Sequence, residues 1–174
     1  MNCLFVGFDF NYYHFDAEIF ENKVLIGAIS CDGVFDTKLL DYGSEKSIGG
    51  ALDDLFWAQF KTFCIKLLEK VKIVGSFKTF WLVMNINPMI EDPEFHQELS
   101  NRGFNCLWLP SFMKEFNPIN DFWSLMNRYS LRNSKSNDPK IIIMEVIQSI
   151  PKEEVLGKIK NVEMDLFSHL DPDI

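Results

Sequence analysis

The stretch Lys23–Tyr42, with the sequence KVLIGAISCDGVFDTKLLDY, decides the fold. Residues 23–30 form an almost unbroken run of aliphatic and small residues, which predicts a strand. Residues 31–33 carry the Asp-Gly signal of a hairpin turn, so residues 34–42 are predicted to return as a second strand. Another short apolar run, Cys3–Phe8, precedes them and is typical of a strand that is buried on both faces. The first third of the chain therefore predicts a meander of three antiparallel strands.

The remainder of the chain predicts helices that alternate with two further strands. Apolar residues of Leu52–Val71 recur at three- and four-residue spacing, which indicates a long amphipathic helix. Its apolar arc is wide, and either a second neighbouring element or a partner protein would bury it. The other predicted elements are strands over 79–84 and 104–109, a helix opened by Asp92-Pro93, and helices over 120–131, 141–150 and 153–170. This order predicts an α/β fold with a five-stranded mixed sheet flanked by helices.

The composition argues against a protein that holds nucleic acid unaided. The 174 residues fit one domain and carry a net charge of −8, and the basic residues are dispersed rather than clustered. No apolar stretch is long enough to span a bilayer and no leader is evident, so the sequence predicts a soluble, intracellular protein without a membrane partner. The four cysteines and three histidines lack the spacing of zinc ligands. We therefore predict buried, reduced thiols, no metal and no cofactor.

Two segments that follow the predicted long helix carry a family resemblance. Phe80–Ile90 has the sequence FWLVMNINPMI, and Leu109–Trp123 has the sequence LPSFMKEFNPINDFW. They resemble the LVMDNAPIH and LPPYSPELNPIEQFW segments of mariner/pogo-type transposases, which belong to the DDE superfamily. Lys23–Gly33 is also similar to the GAISxxG strand and turn of that family. The resemblance implies a ribonuclease H-like core over residues 1–132. Residues 133–174 would then be a helical extension that packs on the core or on a partner.

The same resemblance identifies where the catalytic carboxylates of the family would lie. In such enzymes two aspartates and one glutamate bind two divalent metals that activate a nucleophile for attack on a phosphodiester. Here Gly7 stands at the first aspartate, Asn85 at the second and Asn120 at the glutamate. The interval between Asn85 and Asn120 matches that of mariner-type members, so the register is kept while all three charges are lost. The resemblance therefore implies a protein that is not an enzyme.

Two neighbouring carboxylates offer a local rescue, which we do not expect to work. Asp9 lies two residues after Gly7 and hence on the same strand face, displaced by roughly 6–7 Å. Asp121 follows Asn120, and one residue along a helix turns a side chain by about 100°. Catalytic groups must be placed within about 0.5 Å of a productive geometry.

The expected function is a protein-interaction subunit or adaptor in a nuclear complex, where the nuclear location comes from the resemblance alone. The helix-turn-helix units that family members carry before the core would be missing. The candidate partner-binding residues are Phe112, Met113, Phe116 and Trp57, and an apolar stripe on the C-terminal helices is a second candidate surface. The alternative is a structural DNA- or RNA-binding module that uses the former substrate groove through a small basic edge, formed by Arg128, Arg132, Lys135 and Lys140. A residual metal-dependent nuclease is the less favoured alternative.

Overall fold

The computed structural model describes residues 2–9, 19–41, 51–73, 80–85, 92–133 and 136–170. In chain order the elements are β1 (Asn2–Asp9), β2 (Lys23–Ser30), β3 (Gly33–Asp41), α1 (Ala51–Ile73), β4 (Phe80–Asn85), α2 (Pro93–Asn101), β5 (Phe104–Leu109), a 3-10 segment (Ser111–Phe116), α3 (Ile119–Asn133), α4 (Pro139–Ser149) and α5 (Lys152–Leu170).

The strands form one five-stranded sheet in the order β3-β2-β1-β4-β5. β1 and β2 are antiparallel, as are β2 and β3, whereas β4 runs parallel to both β1 and β5. In the turn between β2 and β3, Gly33 adopts a φ of +104°, which glycine tolerates because it has no Cβ. The predicted α/β fold with a five-stranded mixed sheet flanked by helices is confirmed.

Side chains alternate between the two faces of the sheet, and each face is covered by its own helices. On one face, residues such as Leu4 and Ile26 pack in a core with α1 and α2, which we name the α1-side core. On the other face, Phe5 and Leu25 pack in a core with α3, α4 and α5, named the α3-side core. The sheet is therefore the middle layer of three.

Most of the described apolar side chains of α1 are buried in the α1-side core, whereas Leu55 is 53% exposed. Trp57 is 7% exposed and packs edge-on against Phe8, Phe56 and Phe60, with ring centroids 5.6, 5.0 and 5.6 Å away. Trp57, a candidate partner-binding residue, is therefore a core residue that leaves little surface for a partner.

α2 is joined to α1 through its capping residue. The Asp92 carboxylate accepts hydrogen bonds from the backbone N–H groups of Glu94 (3.0 Å) and Phe95 (3.3 Å), and Pro93 occupies the first turn. The same carboxylate forms an ion pair with Lys61 of α1. The hydrogen bond from Lys61, together with the backbone donors, lowers the pKa of Asp92.

The two C-terminal helices contribute to the α3-side core. Asp138 caps α4 by accepting a hydrogen bond from the backbone N–H of Lys140 at 2.8 Å. α4 and α5 place apolar side chains in the same cluster as Phe122 of α3, namely Ile142, Ile143, Val146, Val155 and Ile159. Within the described ranges, none of the helices combines the length and apolar character needed to cross a bilayer.

Candidate functional site

The first predicted catalytic position, Gly7, lies under the start of α3. Gly7 pairs with Gly27 across β1 and β2. A Cβ built on Gly7 would lie 2.7 Å from Cγ2 of Ile119, and one built on Gly27 would lie 2.6 Å from the Trp123 ring. α3 thus rests on two facing glycines, and the side chain of Ile119 fills the space where the family's first aspartate would lie.

The second predicted position, Asn85, is held by an asparagine that precedes α3. Asn85 is the last residue of β4, and Val6 pairs with Met84, so Asn85 lies level with Gly7. Asn117, only 1% exposed, donates from Nδ2 to Oδ1 of Asn85 (2.8 Å) and to the carbonyl oxygen of Val6 (3.2 Å). Its own Oδ1 accepts from the backbone N–H of Ile119 at 3.3 Å. Because these partners fix which way the Asn117 amide faces, Asn85 must present its oxygen to Asn117.

Because the Asn85 oxygen faces Asn117, the amide nitrogen Nδ2 of Asn85 points elsewhere. This nitrogen is buried and has no hydrogen-bond partner in the described part of the chain, and the same holds for Nε1 of Trp123. A buried, unpaired donor costs about 1–3 kcal/mol. An N–H group repels a cation, and the amide oxygen already accepts a hydrogen bond from Asn117. The chemistry at Asn85 is therefore unfavourable for a divalent metal.

The third predicted position, Asn120, turns towards the preceding segment. Its side chain is exposed, and Nδ2 donates to the carbonyl oxygen of Lys114 in the 3-10 segment at 2.6 Å. Asn120 therefore fixes the segment before α3 to the first turn of that helix.

The two rescue carboxylates lie in different settings. Asp9 ends β1 opposite Leu25 and, by strand alternation, shares the face of Gly7. Asp121 lies 3.5 Å from Nζ of Lys158 on α5. Among the residues with a described placement, no three histidine, cysteine, aspartate or glutamate side chains are grouped closely enough to hold a metal ion.

The loop candidates for partner binding are exposed to different degrees. Phe112 is 76% exposed on the 3-10 segment, and Met113 beside it is half-buried. Phe116 is half-buried and packs against the α3-side core, so it anchors the 3-10 segment to that core. Leu107 of the edge strand β5 is also exposed, and alternation puts it on the same sheet face as Leu109 of the α3-side core. The outward apolar surface of this region is therefore centred on Phe112.

The basic candidates are less available to a phosphate backbone. Arg128 forms an ion pair with Glu154 of α5 and lies over the Tyr129 ring, 5.2 Å from its centroid. Arg132 belongs to α3, but its side chain lies outside the described residues, as does the whole of Lys135. Arg128, the first cation of the predicted basic edge, is thus already paired with a carboxylate.

Sequence analysis overlooked the residues that fill the site. Asn117 and Ile119 belong to the Asn-Pro-Ile stretch that carries the family resemblance, yet that stretch gave no indication of its contacts with β1 and β4. The available signal was an asparagine three residues before a predicted helix, because an asparagine side chain can hydrogen-bond to the backbone where a helix begins.

Compared with models of protein families and with curated proteins, the chain matches none.

Proposed function

We propose that this chain is a catalytically inactive, transposase-like core with a ribonuclease H-like fold, and that it acts by binding another protein in a nuclear assembly. The mixed sheet, with three antiparallel strands followed by two parallel ones, is compatible with that fold. The nuclear location and the kind of assembly rest on the sequence resemblance alone.

One observation carries the proposal, namely the state of the three positions at which the resemblance places carboxylates. Gly7 is covered by Ile119, Asn85 is hydrogen-bonded to Asn117, and Asn120 is bonded to the Lys114 carbonyl. Two divalent cations need several anionic oxygens in a fixed frame. These side chains supply no negative charge, and the space above Gly7 is filled by a hydrocarbon group.

The exposed ring of Phe112 is the best supported anchor for a partner. Burying a phenylalanine side chain yields about 1.5–3 kcal/mol, and the residues that dominate an interface typically contribute about 2 kcal/mol or more. The second half of the 3-10 segment that carries Phe112 is fixed, because Phe116 packs on the core and Asn120 donates a hydrogen bond to the Lys114 carbonyl oxygen. A rigid platform of this kind loses little conformational entropy on binding. The net charge of −8 disfavours phosphate as the main ligand.

A comparison of two charged variants tests this surface. Phe112→Glu removes the proposed anchor, and Met164→Glu makes the same kind of change at an apolar side chain that is 62% exposed on α5. Each protein is immobilised after its thermal melt has been checked, and the proteins it captures from native cell extract are identified by mass spectrometry. We expect wild type and Met164→Glu to capture a common partner that Phe112→Glu does not.

Other outcomes assign the function elsewhere. If Phe112→Glu keeps every partner and Met164→Glu loses them, the interface lies on the C-terminal helices. If the wild type captures no protein but binds DNA with an affinity that falls steeply with salt, the nucleic-acid alternative replaces the proposal.

A further inference from the structure

Two cysteines face each other where β1 begins and β2 ends. Phe5 of β1 pairs with Ile29 of β2, so a count of two residues outward along each chain brings Cys3 opposite Cys31. Phe5 and Ile29 both belong to the α3-side core, and Cys3 packs against it. Strand alternation puts Cys3 on the face of Phe5, and the same alternation, continued one residue past the end of β2, puts Cys31 on that face as well.

The register matches the requirements of a disulfide. Residues directly opposite each other in antiparallel strands have Cα atoms about 4.5–5.5 Å apart. Disulfides span Cα separations of about 4.4–6.8 Å. Cys31 is the first residue of the turn, and that turn is held by a hydrogen bond from the backbone N–H of Asp32 to Oγ of Ser30 at 3.1 Å. Burial raises the pKa of the Cys3 thiol, and the charges of Glu163 and Cys31 make smaller contributions in the same direction.

The four cysteines differ in how far a reagent can reach them. Cys31 is exposed, which corrects the prediction that all the thiols are buried, and Cys3 is half-buried. Cys64 is completely buried and its pKa is raised by burial, while burial raises the pKa of Cys106 to about 11. A soluble oxidant therefore meets Cys31 before the other three cysteines.

We propose that Cys3 and Cys31 form a reversible disulfide within the chain when the protein meets a small disulfide such as oxidised glutathione. First, the Cys31 thiolate attacks one sulfur of oxidised glutathione, which forms a mixed disulfide and releases one glutathione thiolate. Then the Cys3 thiolate attacks the Cys31 sulfur, which closes the protein disulfide and releases the second glutathione. The protein loses two electrons and two protons, and oxidised glutathione gains them.

The bond would fasten the first strand to the hairpin between β2 and β3. That hairpin already contacts α5, because Nζ of Lys152 lies 3.2 Å from Oδ1 of Asp32. A disulfide at this place closes a loop within the chain and restricts the unfolded state. The site does not depend on the proposed partner-binding function, and neither proposal fails with the other.

The test treats the folded, full chain with oxidised glutathione and analyses it by mass spectrometry without reduction. We expect an intact mass lower by two hydrogen atoms and a linked pair of peptides that contain Cys3 and Cys31. In Cys3→Ser the second step is blocked, so one glutathione should remain attached to Cys31, whereas Cys31→Ser should stay unmodified. The oxidised wild type should melt about 5–10 °C higher than the reduced protein, and dithiothreitol should abolish the difference.

The proposal is overturned if the wild type accumulates a stable glutathione adduct at Cys31 or forms dimers linked through Cys31. Either product would mean that the Cys3 sulfur cannot reach its partner in the folded protein. A linkage that joins Cys31 to Cys64 or Cys106 would overturn it as well.

Discussion

Asn117 shows how one buried side chain can connect three elements of a sheet protein. Its amide reaches the carbonyl of Val6 in β1, the side chain of Asn85 in β4 and the backbone N–H of Ile119 at the start of α3. A buried polar group is tolerated only when its hydrogen bonds are made. The amide therefore fixes where α3 begins relative to the sheet, and with it the side chain that covers Gly7.

Truncation of Asn117 should be costly because it leaves several of these partners unpaired. We expect Asn117→Ala to lower the free energy of unfolding by about 2–3 kcal/mol, measured by urea denaturation. Asn161→Ala, at an exposed asparagine of α5, is the control and should change it by less than about 0.5 kcal/mol. Equal losses in the two variants would contradict the role given to Asn117.

The close approach of α3 to the sheet predicts opposite effects for two glycine substitutions. Gly7→Ala places a Cβ 2.7 Å from Ile119, whereas a Cβ at Gly157 in α5 meets nothing within 4 Å. We expect Gly7→Ala to destabilise the protein by about 1–3 kcal/mol and Gly157→Ala to stabilise it by about 0.5–1 kcal/mol. The added cost of Gly7→Ala should shrink in an Ile119→Ala background, because the clashing methyl group is gone. Additive effects in this double-mutant cycle would show that Ile119 does not fill the site.

At the scale of single residues, the sequence indicated where the family's carboxylates would lie, but not which side chains contact those positions. Asn85 and Asn120 were assigned from two motifs and their spacing, and Gly7 from the alignment of the first strand with that of the family; all of these are local properties of the chain. The contact between Gly7 and Ile119 joins residues far apart in sequence, and it depends on how closely a helix approaches the sheet. No periodicity or motif encodes that distance.

The helices and strands themselves follow closely from periodicity and turn signals. β5 has the predicted bounds, and the predicted helix over 120–131 extends by one residue at its start and two at its end. These elements were predictable because hydrophobic patterning and capping act over a few residues. From the sequence Trp57 was a candidate for a surface, because a wide apolar arc on α1 does not reveal what will cover it; in the structure its side chain is 7% exposed. The division at residue 132 stays a prediction, although α4 and α5 share the α3-side core with the sheet.

The junction between α1 and α2 predicts a pH dependence. The Lys61 hydrogen bond and the backbone donors lower the pKa of Asp92 below its unfolded value of about 3.9. A carboxyl with a lowered folded pKa stabilises the protein above the unfolded pKa, and this contribution is lost as the pH falls through the folded pKa. Asp92→Asn keeps a capping oxygen but loses the charge, so its Tm should be below that of wild type at neutral pH. The two Tm curves should converge as the pH falls below about 4.

A substitution of Lys61 checks that this side chain causes the lowered pKa of Asp92. In Lys61→Met, as in Asp92→Asn, the Tm should fall less than that of the wild type when the pH is lowered from neutral to acid. A Tm offset of Asp92→Asn that stays constant from neutral to acid pH would contradict the assignment.

At the scale of the whole molecule, the sheet and its helices are complete, and the positions where the resemblance places carboxylates are filled by other side chains. The sheet order brings β1 and β4 side by side, which is where the resemblance places two of the three carboxylates. What remains there is a glycine, a hydrogen-bonded pair of asparagines and an isoleucine. Function would then rest on the outer surface, where Phe112 is the most exposed of the large apolar side chains in the described part.

Calorimetric titration of the folded protein with Mn²⁺ tests the central claim most directly. The account predicts no saturable, site-specific heat, because the positions Gly7, Asn85 and Asn120 offer no carboxylate. Asp9→Ala and Asp121→Ala, titrated alongside, should behave like the wild type. A micromolar Mn²⁺ affinity in the wild type that either substitution abolishes would contradict the account, since it would mean that the neighbouring carboxylates have rebuilt the metal site.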